Sequence, residues 1–159
     1  MVCREWRRCV LNTVFGLLDG VSVVRILIVD DHNQFRAQLK SLLESVNEWQ
    51  VCSEAKNGTD AVEEYCHLQP DVTVMDFNMP EFNGLLASRE ILRQYPDATI
   101  LMLTAFDSPM LAARAKAEGI KGFCSKNEPK CISLAIETLL RGELSRLVYG
   151  SSRRLTRLN

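Results

Sequence analysis

Three aspartates placed at the ends of apolar runs carry the first chemical signal in this chain. Asp30 and Asp31 follow the run Arg25-Ile26-Leu27-Ile28-Val29, and Asp76 follows Asp71-Val72-Thr73-Val74-Met75. Thr104 closes a third run, Thr99 to Leu103, and Lys126 lies just past a fourth, Lys121 to Cys124. Charges at buried strand ends are costly unless a partner compensates them. Three carboxylates with few cations nearby call for a hard divalent metal, and Mg2+ suits, because it takes one or two carboxylates together with waters and phosphate oxygens. A carboxylate beside such a cation can attack phosphorus and form an acyl phosphate. The cation and a lysine then neutralise the oxygens of the transferred group. In that reading Asp76 is the nucleophile, flanked by the loop Phe77 to Gly84, while Asp30 and Asp31 hold the metal. Lys126 pairs with the phosphoryl group, and Thr104 donates a hydroxyl hydrogen bond beside the small Ala105. Taken singly, each residue has a plainer role: a strand-end Asp caps or turns the chain, Thr suits a strand, and Lys is usually solvated. Their occurrence in register on one edge is what carries the argument.

For these residues to meet, the intervening segments must form crossovers. Short apolar runs, with Gln50-Val51-Cys52 as a further one, alternate with segments of helical period. Three runs are almost continuously apolar, as in strands buried on both faces. Phe35, Leu39, Leu42, Leu43 and Val46 recur at helical spacing, as do Ile132, Ile136, Leu139 and Leu140. Ser108-Pro109 reads as an N-cap and first turn, and Gly119 and Gly142 stand where helices stop. Gly58, Gly84 and Pro96 mark further boundaries. The pattern is five βα units with connections too long for hairpins, so the strands are parallel and right-handed crossovers place helices on both faces. The expected fold is a doubly wound α/β three-layer sandwich around a five-stranded parallel sheet. Its functional crevice lies outside the carboxyl ends of the strands.

Composition sets the frame. The 159 residues, 47% apolar and 25% charged, suit one domain with appendages. Of six cysteines, Cys52, Cys66, Cys124 and Cys131 sit in apolar-periodic segments and read as small buried hydrophobes, with Cys3 and Cys9 in a leading stretch. No CxxC occurs, and His32 and His67 are distant from Cys3 and Cys9, which speaks against zinc and for a reduced, cytoplasmic setting. The net charge of −1 hides an asymmetry: Arg25 to Leu140 holds eleven basic and seventeen acidic residues, whereas Arg141 to Asn159 holds five arginines and one glutamate. With Tyr149 as its one aromatic, that tail is a weak nucleic-acid footprint. Residues 1–24 form an N-terminal extension or an upstream sequence from too early a start; Asn12 and Asp19 interrupt their apolar stretch, which excludes a membrane span on length. The domain is expected at 25–142, followed by a basic tail or linker remnant at 143–159.

At this point the chain resembles the response-regulator receiver family of two-component signalling. The matching residues are Ile26 to His32, Glu54-Ala55-Lys56-Asn57-Gly58, Pro70-Asp71-Val72 through Asp76 to Pro80, and Asn83-Gly84. They continue with Leu101-Met102-Leu103-Thr104-Ala105 and Gly122-Phe123-Cys124-Ser125-Lys126, so the resemblance runs from Arg25 to about Gly142. It implies the strand order 2-1-3-4-5 and phosphorylation of Asp76 from a histidine kinase phosphohistidine. It also implies Mg2+ bound by Asp31, Asp76 and the main-chain carbonyl of Asn78, with Asp30 acting mainly through water. Thr104 would move toward the phosphoryl group, and Phe123 would rotate inward to fill the space it leaves, remodelling the surface of the fourth helix and fifth strand. Expected partners are a histidine kinase or phosphotransfer protein, a downstream protein and, through the fourth-helix face, a second copy of the chain; no membrane is involved.

Two departures stand out. Asn127 follows the lysine where the family often has proline, and the sequence style is that of receivers that precede a helix-turn-helix domain, for which the residues after Gly142 are too few. The main expectation is therefore a phosphorylation-activated switch, not an enzyme beyond self-phosphorylation and slow autodephosphorylation. The alternative is the receiver part of a truncated DNA-binding regulator, touching nucleic acid only through a lost domain. A phosphatase of the haloacid-dehalogenase type would want an acid two residues after Asp76, where Asn78 stands, and flavin binding lacks a phosphate-cradling loop after the first strand.

Overall fold

A computed structural model of the chain describes residues 23–46, 48–106 and 108–142, apart from the side chain of Val46. The expectations for the leader up to residue 22, for the tail from residue 143 and for Val46 lie outside the described residues. Strands and helices alternate: β1 (Val24–Val29), α1 (Asn33–Val46), β2 (Trp49–Ala55), α2 (Gly58–Leu68), β3 (Val72–Asp76), α3 (Gly84–Gln94), β4 (Ile100–Thr104), α4 (Pro109–Ala117), β5 (Gly122–Ser125) and α5 (Pro129–Leu140). All neighbouring strands are parallel, in the order β2-β1-β3-β4-β5. None of the described helices is long and apolar enough to cross a membrane.

The period-2 alternation of the strands divides the core into two layers. Leu27, Val29, Met75, Ile100, Met102 and Phe123 face α2, α3 and α4. Ile26, Ile28, Val74, Leu101, Leu103 and Cys124 face α1 and α5, where Leu39, Leu43, Ile132, Ile136 and Leu139 meet them. Because both faces are covered, every residue of β3 and β4 is buried, which is why those runs read as continuously apolar. Each fully buried aliphatic side chain contributes about 1.5–3 kcal/mol to holding the sandwich together. Leu140 departs from its expected face and is 38% exposed, at the last turn of α5.

β2 differs most from the expectation, extending from Trp49 to Ala55 where the sequence suggests only Gln50 to Cys52. It is an edge strand, so Ser53 and Glu54 can pair with β1 while their side chains stay partly in water, and no apolar run marks its end. The register slips between Ile26 and Leu27, whose partners are Val51 and Ser53, leaving Cys52 as the extra residue of a bulge.

Helix starts follow local chemistry. Asn57 accepts from the Asp60 N–H at 2.8 Å and Asn83 from the Leu86 N–H at 3.0 Å, each capping its helix. Ser108 caps α4 with Pro109 as its first residue, and Gly119 follows at φ 85°, both as expected from sequence.

Candidate functional site

Parallel strands bring all their carboxyl ends to one edge, and there the charged residues collect. Asp30 follows β1 directly, Asp76 ends β3, and Thr104 ends β4, each at most 1% exposed. Lys126, one residue past β5, has its N–H bonded to the Thr104 carbonyl at 2.8 Å, which fixes where its side chain sets out. Its ammonium lies 2.5 Å from Asp30 Oδ2 and 2.7 Å from Asp76 Oδ2, with the lysine side chain only 13% exposed. One lysine thus bridges two buried carboxylates drawn from neighbouring strands.

Electrostatics follow from that bridge. Burial pushes the Asp76 carboxyl above its ordinary range; hydrogen bonding and attraction from Lys126 oppose this, and repulsion from Asp30 adds to it. The Asn78 N–H donates to Asp76 Oδ1 at 3.1 Å, so the β3–α3 loop also steadies the carboxylate. Asp30 Oδ1 accepts from the His32 N–H at 2.8 Å. Asp31 is more open, its side chain 27% exposed and its Oδ1 2.8 Å from His32 Nδ1. Thr104 Oγ1 accepts from the Phe106 N–H at 3.1 Å, so its hydroxyl is held at the edge.

Three residues beyond the sequence expectation shape this edge. Arg36, on α1, donates to the Asp30 main-chain carbonyl at 2.6 Å and to Asn33 Oδ1 at 2.5 Å, stapling the turn that presents both aspartates. The Lys126 ammonium stands 4.8 Å from the centre of the Phe35 ring, a cation–π contact that favours keeping the charge indoors. His32 brings an imidazole to the aspartates, although it is 71% exposed. Phe35 reads in sequence only as a member of an apolar face, and Arg36 carries no signal there; His32 sits in the quoted motif but gives no sign of its orientation. Phe123 lies inside, 4% exposed, packed in the same apolar layer as Met102, Ala112 and Ala115.

Gly84 controls how closely α3 approaches. A Cβ at that position would lie 1.8 Å from the Asp76 carbonyl oxygen, an impossible contact with backbone. Gly84→Ala must therefore displace the end of β3, and we expect a loss of about 2 kcal/mol, as for other overpacked sites. Urea denaturation checks this: a midpoint equal to wild type would show that the approach can relax.

The donor set fits a hard cation. One donor atom from each of Asp30, Asp31, His32 and Asp76 lies within 4.8 Å of the others. Opposite ligands of Mg2+ are separated by about 4.2 Å, so some of these atoms could bind directly and others through water. Asp30 Oδ2, Asp76 Oδ2 and Asp31 Oδ1 are buried atoms whose only partners among the described residues are the Lys126 ammonium and the His32 ring. Three carboxylates against one ammonium leave two negative charges in excess when His32 is neutral, the charge a divalent ion balances.

Comparison with known proteins agrees with this geometry. Residues 26–136 match the family described as response regulator receiver domain. The chain is 39% identical over 102 residues to the chemotaxis protein CheY of Thermotoga maritima, covering 64% of this chain and 84% of that protein. It is 35% identical over 103 residues to the transcriptional regulatory protein DegU of Brevibacillus brevis, covering 65% of this chain but 44% of DegU, so it spans less than half of that relative's length. A solved two-component response regulator of the LuxR family from Aurantimonas sp. SI85-9A1 superposes with a TM-score of 0.74 at 33% identity, covering 76% of this chain and 87% of that one. With the strand order 2-1-3-4-5 and the family match agreeing over the same residues, the chain belongs to the response regulator receiver domain family and is a phosphorylation-activated signalling switch.

Proposed function

We propose that Asp76 is the phosphoacceptor, taking its phosphoryl group from the phosphohistidine of a histidine kinase or phosphotransfer protein. A carboxylate oxygen of Asp76 attacks phosphorus, the bond from phosphorus to the donor nitrogen breaks, and its electron pair returns to the donor imidazole. Asp31, Asp76 and the main-chain carbonyl of Asn78 would hold Mg2+, with Asp30 reaching it through water. Bound there, the ion supplies charge neutralisation to the phosphoryl oxygens. Lys126 moves its ammonium from the Asp76 carboxylate to an oxygen of the incoming group, keeping Asp30 as its anchor. Thr104 donates its hydroxyl proton to another phosphoryl oxygen. Phe123, packed beside the end of β4, passes that shift to the surface of α4 and β5 by packing alone, since its ring carries no hydroxyl.

The observation that carries this reading is the ammonium of Lys126 set between two buried carboxylates with negative charge left over. In this reading residues 25–142 are the receiver domain, flanked by the extension and the basic tail, and the chain works in the cytoplasm. Its own chemistry is limited to self-phosphorylation and slow autodephosphorylation. Phe106, between β4 and α4, and Met110, in the first turn of α4, are 66% and 76% exposed and offer apolar contact to a downstream protein or a second copy.

Acetyl phosphate tests the assignment. With Mg2+ present we expect incorporation that maps to Asp76, and with EDTA a fall of at least about a hundredfold. Incorporation that ignores EDTA, or that maps to another residue, would overturn the proposal.

A further inference from the structure

Two thiols meet across the loop that carries Lys126. Cys124 sits on β5 in the layer facing α1 and α5, and Cys131 is the third residue of α5. Their sulfurs are 3.4 Å apart, and Cys124 Sγ also lies 3.7 Å from the Cys131 carbonyl oxygen. Both are free thiols, Cys124 buried and Cys131 half-buried. A disulfide places its sulfurs about 2.05 Å apart, so closure asks for an approach of about 1.4 Å, within reach of side-chain rotation and a small shift of one helical turn.

The two sulfurs differ in character. A hydrogen bond between the two sulfurs lowers the pKa of the Cys131 thiol, against burial and the nearby Glu128. The same hydrogen bond, with burial, raises that of Cys124. The first turn of α5 also favours a thiolate, because helix N-termini carry partial positive charge. The more accessible sulfur is thus the better nucleophile, and a second sulfur stands behind it. Cys52 and Cys66 make no such pair: Cys52 Sγ lies 3.4 Å from the Ile26 carbonyl oxygen and Cys66 Sγ 3.8 Å from Gln94 Oε1.

We propose that Cys124 and Cys131 are a redox-active dithiol that a peroxide closes to a disulfide, clamping both ends of the loop that holds Lys126. The Cys131 thiolate attacks one peroxide oxygen, the O–O bond breaks, and the departing hydroxide takes a proton to become water. The resulting sulfenic acid is attacked by the Cys124 sulfur; the S–O bond breaks and its hydroxyl leaves as water with the Cys124 proton. Two thiols lose two electrons and two protons, and the peroxide is reduced to two waters. The clamp matters because Lys126 must exchange a carboxylate for a phosphoryl oxygen, and residues 125–130 would then form part of a closed ring. This consequence for labelling rests on Asp76 as phosphoacceptor; the chemistry of the pair does not.

Hydrogen peroxide on the full chain, followed by alkylation and trypsin, reads the bond directly. Cleavage after Lys121, Lys126, Lys130 and Arg141 separates residues 122–126 from 131–141, so the disulfide appears as these two peptides joined with the loss of two hydrogens. We expect that product, its reversal by dithiothreitol, and a fall of about tenfold in the rate of acetyl phosphate labelling of the oxidised protein. Cys131→Ser is expected to lose the joined peptide and to label alike with and without peroxide. Oxidation of Cys131 to sulfinic acid without linkage, or linkage through Cys52 or Cys66 instead, would overturn the dithiol. Equal labelling of oxidised and reduced wild type would overturn the clamp. Failure of the reduced protein to label strikes the phosphoacceptor reading instead, and amide exchange over residues 125–130, expected to slow on oxidation, then decides the clamp.

Discussion

Asp76→Asn is expected to abolish labelling by acetyl phosphate, by at least about a hundredfold, while making the folded chain harder to unfold. The two effects share a cause. Asp76 is buried beside Asp30, and burial and repulsion together outweigh Lys126 in setting its proton affinity above the ordinary range. The charged carboxylate that chemistry needs is therefore held against the preference of the fold. Asparagine keeps the shape and the contact with the Asn78 N–H but carries no charge and cannot form an acyl phosphate.

The sign of the pH dependence follows. An acid with a raised folded pKa contributes stability that is fully present below its unfolded value, near 3.8, and lost as pH rises through the folded value. Wild type and Asp76→Asn should thus show nearly equal stability at the acid end and diverge as pH rises, with the variant ahead at neutrality. Added Mg2+ should narrow the gap, because an ion that binds only the folded wild type raises its stability. Thermal melts in EDTA across pH decide it: a variant less stable than wild type at neutral pH would show that the Lys126 ion pair, not burial, dominates at Asp76.

The parts of this fold that were legible in sequence are those buried on both faces. β3 and β4 read as apolar runs because each of their side chains meets a helix layer, and their ends announced Asp76 and Thr104 directly. Where one side of an element meets water, the signal fades. β2 continues through Ser53 and Glu54 because an edge strand is held by main-chain hydrogen bonds that any side chain permits. The site was legible as to which residues gather and less so as to how they are balanced. Charge surplus in the sequence suggested a cation, and the ammonium that offsets one of its three charges comes from a lysine fifty residues beyond Asp76. Even local contacts such as Arg36 on the Asp30 carbonyl depend on main-chain direction at a turn, which residue type does not record. Cys124 and Cys131 illustrate the same limit: each reads as a small hydrophobe by its periodicity, and only the crossover of β5 into α5 sets their sulfurs 3.4 Å apart.

Lys126→Met separates the structural from the chemical work of the lysine. Methionine keeps an unbranched apolar stem of similar length beside the Phe35 ring but removes the ammonium, leaving Asp30 and Asp76 facing each other without a cation. Breaking a buried ion pair from one side costs about 3–5 kcal/mol, and the 13% exposure of the lysine side chain puts the expected loss at the lower end, about 3 kcal/mol at neutral pH in EDTA. Two relief routes identify the cause. Acid should restore much of the loss, since two carboxyls that share a site can share a proton. Millimolar Mg2+ should restore part of it at neutral pH, because the ion would meet the same stranded carboxylates. Labelling should not recover with stability: without the ammonium one phosphoryl oxygen lacks its partner, and the rate is expected to stay about a hundredfold low even when Mg2+ holds the domain folded. That divergence between a rescued fold and an unrescued reaction distinguishes a lysine that touches the transferred group from one that merely balances charge. If Mg2+ restored both to wild-type levels, the lysine would be a counterion and no more, and the acid pair with its metal would suffice for the transfer.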